Sequence, residues 1–309
     1  MEIGGEVAQK IFLVFNTACF GDVLLCNSLC QNIKLEYPDS KIVFICDKPY
    51  ADVAKYQKDV DDVVVYDKKG VHKGFRGFIR FLLEFPYKKP YASFIAYPNL
   101  RNVIISSLVG TKHISELKTI YSENKVQYSI SNLLKSITHK DVKNLPIKYI
   151  MDSDIPERLK NSMNSDKKYI AFSPISKNPE KDIPLDVAVA VVSKLSERFC
   201  VLYLGAGEKA LNFAQQMKNK GADFIDLTNK TSFPDLARVI QNCSAVLSVD
   251  TGTMHLSYAM GVPTVCVFYR QNTVKYWAPD TNIYDNVSII DEDYSADRMC
   301  SAINNLIKG

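Results

Sequence analysis

The chain opens on an apolar run, IFLVFN (11–16), followed by a stretch from Asp22 to Tyr37 whose apolar residues recur at helical spacing, and then by a second apolar run, KIVFIC (41–46). Short β-branched runs bounded by turn residues suit strands, and longer periodic stretches suit helices that bury one face. The pattern predicts a β-α-β unit. VDDVVVYD (60–67) and YASFIAYP (91–98) continue the strand series, with RNVIISSLV (101–109) as the helix after them. From about Ser122 to Lys168 the chain turns Ser/Lys/Asn-rich and loses strand character, and NLLKSI supplies one amphipathic helix. The alternation then restarts with strands YIAFSP (169–174), CVLYLGA (200–206), DFIDLT (223–228), AVLSVD (245–250) and TVCVFY (264–269). Helices DVAVAVVSKLSERF, LNFAQQMKNKG, FPDLARVIQNC and MHLSYAMG lie between them, and DRMCSAINNLIKG closes the chain.

Strands separated by helices imply parallel sheets with right-handed crossovers. The expected fold class is therefore α/β, with two Rossmann-like domains over 1–155 and 156–309 and a final helix free to pack back on the first domain. In open α/β sheets chemistry gathers at the carboxyl ends of strands, which directs attention to the cleft between two such domains.

Composition narrows the partners. A chain of 309 residues that is 47% hydrophobic is long enough for two ordinary cores. With 38 Lys+Arg against 34 Asp+Glu the net charge is +4, which calls for no nucleic acid and suits an anionic substrate. The eight cysteines sit mostly in apolar runs such as VFIC and TVCVF, without a CxxC pair or histidines at ligand spacing, and read as reduced core residues with no metal site. Met1–Lys10 carries Glu2 and Glu6 and no apolar core, so it is no signal peptide, and no run approaches the ~18 apolar residues of a membrane span. The expected location is the cytoplasm, soluble or peripheral at a membrane.

Five segments carry candidate chemistry. In SVDTGTMHLSYAMGVPTVCVF (248–268) a strand ends at Asp250, and Thr251, Gly252 and Thr253 open a helix whose N–H groups and dipole suit a diphosphate, with His255 in the first turn. The plain alternative is a helix cap, a turn glycine and a surface histidine. In NTACFGDVLLCNSL (16–29) Asp22 lies at or near a helix N-cap, where it can serve as general base or simply as a cap. FSPISKNPEKDIPLD (172–186) is a loop bearing Ser173, Ser176, Lys177 and Lys181, and a lysine there can neutralise a departing diphosphate. LGAGEKA (204–210) fits a G-x-G-x-x-A dinucleotide fingerprint, with Asp223 and Asp226 about 20 residues on, and keeps an NAD-dependent oxidoreductase open. The basic stretch 68–89 (Lys68, Lys69, Lys73, Arg76, Arg80, Lys88, Lys89), interleaved with apolar residues, suits acceptor phosphates, an anionic membrane or an ordinary solvated helix face.

Taken together and in this order, these segments resemble glycosyltransferase family 9, the lipopolysaccharide heptosyltransferases. VFNTACFGDVLLCNSLCQNIKLEYPDSKI is similar to the family's opening strand, Gly-Asp turn and helix; EKDIP resembles its K-x-W-P loop; and DLTNKTSFPDLARVIQNCSAVLSVDTGTMHLSYAMGVPTVCVFY resembles its closing signature. The resemblance implies a GT-B fold and metal-independent, cofactor-free inverting transfer, with an acceptor-binding first domain and a second domain that binds nucleotide sugar, typically ADP-heptose. It matches Asp22 to the catalytic base, Lys181 to the lysine on the donor phosphate, and Asp250, Thr251, Gly252, Thr253 and His255 to the donor loop. Ser173, Ser176 and Glu208 match neighbouring phosphate and ribose positions. The implied partners are the nucleotide sugar and a lipopolysaccharide core acceptor, the latter reached through Lys73, Arg76 and Arg80, with peripheral contact at the inner membrane.

Ile183 stands where the family has tryptophan, and TVCVFYRQN replaces an ending in F-G-P-T, with Arg270 as a substitute source of positive charge. The alternatives are another nucleotide sugar for surface glycan synthesis, a non-catalytic sugar-nucleotide-binding protein, and the oxidoreductase.

Overall fold

The structure, a computed structural model, describes residues 9–97, 99–118, 125–269 and 273–308. It divides into two compact units, Met1–Lys148 and Tyr149–Gly309.

In the first unit, β1 (Ile11–Phe15), β2 (Lys41–Asp47), β3 (Asp62–Tyr66), β4 (Ala92–Ile95) and β5 (His113–Glu116) form an all-parallel sheet in the order β3-β2-β1-β4-β5. Phe12, Leu13, Val14 and Phe15 are fully buried, because a central parallel strand is covered on both faces and so reads as a continuous apolar run. The helix expected over 22–37 is two helices, α1 (Phe20–Leu25) and α2 (Asn27–Glu36), that meet at Cys26. The break has a local cause: Asn16 Nδ2 and Cys26 Sγ both donate to the Asp22 carbonyl, and the Cys26 N–H turns back to Val23 O. The short α3 (Ala51–Lys55) leads to β3.

On the other side of the crossover, α4 (Gly74–Glu84) and α5 (Leu100–Leu108) set Phe81 and Ile105 against Leu13, Val43 and Ile95 of the sheet. Fully burying a side chain of this size is worth about 1.5–3 kcal/mol, so this layer holds both helices firmly. β5 escapes the sequence pattern because it is a four-residue edge strand with polar His113, Ser115 and Glu116. The Ser/Lys/Asn-rich stretch carries α6 (Val126–Ser131) and α7 (Lys135–Thr138).

The second unit begins with Tyr149, whose N–H donates to Ala259 O and whose ring meets Phe233 edge-on. Asp152 then pairs with Arg238 at 2.7 Å, so the division falls a few residues before the expected boundary. After α8 (Glu157–Lys160) come β6 (Tyr169–Ser173), α9 (Leu185–Ser196), β7 (Cys200–Tyr203), α10 (Glu208–Asn219) and β8 (Ile225–Asp226). These are followed by α11 (Phe233–Gln241), β9 (Cys243–Val249), α12 (Gly252–Ala259), β10 (Thr264–Val267), α13 (Val274–Trp277), β11 (Val287–Ile290) and α14 (Ala296–Lys308). The sheet runs β11-β10-β9-β6-β7-β8, again all parallel. The closing helix α14 buries Met299, Ala302 and Ile303 against α9 and the sheet of its own unit, joining Val191, Val192 and Leu195 in one core.

Six cysteines are buried, Cys200 is half-buried and Cys19 exposed, all of them as thiols. Burial pushes the Cys26 thiol up to about 12, with Asn16 opposing and Asp22 adding to the shift. No helix among the described residues is long and apolar enough to cross a membrane, and none of their His, Cys, Asp and Glu side chains group as a metal site.

Candidate active site

In the second sheet β7 and β8 extend to one side of β6, while β9, β10 and β11 extend to the other, so the loops leaving β6 and β9 diverge. Such a switch point opens a crevice at the carboxyl ends of two neighbouring strands. The loop after β6 is braced from within. Ile183 N–H donates to Pro174 O at 2.9 Å, and Ser176 N–H donates to Asp182 Oδ1 at 2.7 Å. Asn178 caps the 3-10 turn Pro179–Lys181 by accepting from Glu180 N–H. Lys209, on the first turn of α10, ties the loop down: its Nζ lies 2.5 Å from Asp182 Oδ2 and 2.8 Å from Ser176 O. Nothing in the sequence pattern singled out Lys209 or Asp182, since their pairing joins the start of α10 to a loop 27 residues earlier in the chain. Ile183, where the resemblance expects tryptophan, is fully buried in the unit's core.

The brace aims Lys181 at the loop after β9, with Nζ 2.6 Å from Asp250 Oδ2. The Asp250 side chain is only 4% exposed, so it leans on this one cation for its charge. Thr251 is the N-cap of α12 but makes no side-chain cap bond; its hydroxyl lies 3.2 Å from Ser248 Oγ instead. The first N–H groups of α12 therefore lack a capping side chain, as an anion-binding helix terminus requires.

His255 was expected in the first turn, facing the cleft or solvent. It is instead buried within the unit, with Nδ1 2.5 Å from Tyr258 OH and Nε2 3.9 Å from Asp250 Oδ1. Burial drives its pKa down from 6.5 to about 4, against the pull of Asp250 and with a smaller push from Lys181, so the ring is neutral at pH 7. Tyr258 keeps its proton, because burial raises its phenol well above the usual range. A Tyr258 O–H donated to Nδ1 leaves the ring proton on Nε2, the side that faces Asp250.

Ser173 ends β6 and is buried, while Ser176 is half-buried and donates its hydroxyl to Asn178 O. Glu208 stands exposed at the start of α10, after Gly207 at φ +84°. The LGAGEKA glycines are explained by packing: a Cβ on Gly205 would lie 2.7 Å from Ala210 Cβ, and Gly207 holds a left-handed conformation. Asp226, a candidate for a dinucleotide ribose, is already bound to Lys218 and to Thr228.

The first unit repeats the arrangement. Its switch point lies between β1 and β4, where β2 and β3 extend to one side and β5 to the other. Asp22 is the third residue of α1, inside the first turn and not at the cap, which is Cys19. Asn16 holds the approach to α1, donating to Asp22 O and accepting from Ala18 N–H, and Lys68 Nζ donates to Thr17 O.

At the same end of the sheet lies a cavity of about 610 Å³ lined by residues that include Thr17, Tyr66, Phe78 and Arg101. Arg101 donates from Nη1 to Tyr66 OH at 2.9 Å and stands over the Tyr66 and Phe78 rings. Lys73, Arg76 and Arg80, the expected acceptor cations, are exposed at the start and along the outside of α4, with Arg80 tied to Glu84 at 2.7 Å. Two cations line the cavity: Lys68, from the basic stretch, and Arg101, which sequence reasoning missed and whose one signal was its place two residues after Asn99, the N-cap of α5. Arg270 lies outside the described residues.

With the geometry in place, comparison with known proteins decides the class. The family model of glycosyltransferase family 9 (heptosyltransferase) matches residues 111–305, well over half the chain. The chain belongs to glycosyltransferase family 9. Lipooligosaccharide heptosyltransferase 2 of Campylobacter jejuni is 23% identical over 270 residues, 84% of this chain and 81% of that protein. Among solved structures, a family 9 glycosyltransferase from Veillonella parvula superposes with TM-score 0.81 at 19% identity and 97% coverage of both chains. The Escherichia coli ADP-heptose lipopolysaccharide heptosyltransferase II gives 0.74 at 14% identity, covering 97% of this chain and 99% of that one. This family 9 member thus has the GT-B fold, and it is a glycosyltransferase.

Proposed function

We propose that this family 9 glycosyltransferase moves heptose from ADP-heptose to a sugar hydroxyl of a lipopolysaccharide or lipooligosaccharide core acceptor, with inversion, on the cytoplasmic side of the inner membrane. The observation that carries the reading is the Lys181–Asp250–His255 cluster beside the uncapped N-terminus of α12.

In this mechanism Asp22 takes the proton of the acceptor hydroxyl as its oxygen bonds to the anomeric carbon. The bond from that carbon to the donor's diphosphate oxygen breaks, and its electron pair leaves on the diphosphate. Lys181 and the N–H groups around Thr251, Gly252 and Thr253 meet the charge that develops there, the task a metal performs in other transferases. Asp250 accepts hydrogens from sugar hydroxyls and stays off the phosphates, while neutral His255 fixes the floor beneath it. Ser173 and Ser176 adjoin the phosphates and Glu208 the ribose. Lys73, Arg76, Arg80 and Arg101 serve the anionic groups of the acceptor. Bound acceptor that strips water from the Asp22 carboxylate strengthens it as a base.

Ile183 in place of tryptophan, and an ending without F-G-P-T, favour a second reading in which the same site takes another nucleotide sugar. The test is ADP and UDP release from a panel of nucleotide sugars, with and without extracted core acceptor, in wild type and Asp22→Ala. Acceptor-dependent ADP release from ADP-heptose that the variant loses supports the first reading. Release from a different donor alone transfers the conclusion to the second, and donor binding with no turnover on any acceptor sinks both.

A further inference from the structure

The helices α4 and α5 lie on the same face of the first sheet, and each leaves a stripe of apolar side chains uncovered at four-residue spacing. On α4 the stripe is Phe75, Ile79 and Leu83; on α5 it is Leu100, Ile104 and Leu108. Phe75, Leu83 and Leu100 are each at least three-quarters exposed, which a single surface leucine can be without cause but six residues at matched spacing are not. Four-residue spacing places each stripe along one side of its helix. Arg101 reaches from α5 to the Phe78 ring, and Phe75, Leu100 and Ile104 line the cavity beside it, so the two stripes flank one groove.

The charge around them is one-sided. Residues 68–112 hold nine of the chain's 38 Lys and Arg and one of its 34 Asp and Glu, giving this segment +8 while the whole chain carries +4. The one acid, Glu84, is paired with Arg80. A second copy of the chain would set this positive field against itself, whereas an anionic bilayer answers both the cations and the apolar side chains.

We propose that the α4–α5 face docks on an anionic lipid surface, with the two stripes entering the headgroup boundary and Lys69, Lys73, Arg76, Lys88 and Lys89 meeting lipid phosphates. Each phosphate neutralised near the surface adds attraction that salt screens, and each leucine inserted adds attraction that salt leaves intact. The inference gives a location to the acceptor reading above, but it stands on this surface and its test needs no donor.

The test is co-sedimentation of the full chain with vesicles of phosphatidylcholine alone and of phosphatidylcholine with about one-third phosphatidylglycerol. The expected result is binding to the anionic vesicles only, weakened by salt. The pair Leu83→Ser and Leu108→Ser, both exposed and outside the cavity lining, should lower the partition about tenfold or more. The same double variant should transfer sugar to a delipidated, water-soluble acceptor at the wild-type rate. Wild type left in the supernatant, equal binding by the variant, or a dimer in solution that the variant dissolves would each overturn the proposal. A wild type that transfers sugar but does not bind the anionic vesicles removes this surface alone, and a wild type that binds them but transfers no sugar removes the functional reading alone.

Discussion

Removing Lys181 strands a charge, and the size of the effect follows from the surroundings of Asp250. In Lys181→Met the Asp250 carboxylate, 4% exposed, keeps only a neutral imidazole 3.9 Å away. Deleting one partner of a fully buried ion pair costs about 3–5 kcal/mol. Lys181 is itself 26% exposed, so water can enter where its ammonium was, and the expected loss falls to about 2–3 kcal/mol. Asp250→Asn added to Lys181→Met removes the stranded charge, so the double variant should recover stability, with an interaction energy of about 1.5–2 kcal/mol. Trp277 is the chain's single tryptophan and belongs to the second unit, so its fluorescence during urea unfolding reports the unit that holds the pair. Additivity of the two substitutions within about 0.5 kcal/mol would refute the argument, since it would mean that the two charges do not sense each other.

Acid should weaken the second unit through His255. Its pKa falls from 6.5 in the unfolded chain to about 4 in the fold, so between those values the unfolded chain binds a proton that the folded one lacks. The stabilisation is complete above pH 6.5 and lost on descending through pH 4, about 3 kcal/mol in all. His255→Gln should flatten that slope in Trp277-monitored unfolding, and a slope unchanged by the substitution would contradict the burial argument. Gly207→Ala places a side chain at φ +84° and should cost about 1–2 kcal/mol without abolishing donor turnover. Gly205→Ala should cost about 1–3 kcal/mol through its collision with Ala210; thermal melts of the two variants check both figures.

Much of this protein is determined by its sequence alone. Continuous apolar runs such as IFLVF and AVLSV can be covered on both faces only in parallel sheets, and the periodic stretches between them can only be the crossover helices. The residues around Asp250 and Lys181 were legible as candidates because they follow the carboxyl ends of strands, where open α/β sheets gather chemistry, while their spacing alone reads equally well as a cap and a turn. The same pattern misses whatever depends on contacts between distant segments. β5 is short and polar and exists as a strand because β4 offers it an edge. The split at Cys26 follows from Asn16, six residues before Asp22, taking a carbonyl that a continuous helix would have used. Lys209 braces the lysine loop only because β6 and β7 are neighbours, and Arg101 enters the cavity only because α4 brings Phe78 beneath it. His255 reads as a surface or cleft residue from its spacing, yet its neutrality comes from complete burial beside Tyr258. Local pattern decides which elements form, because it needs only a chain and water; ionisation and pairing depend on what the packed fold excludes from water, and so the tertiary structure alone decided them.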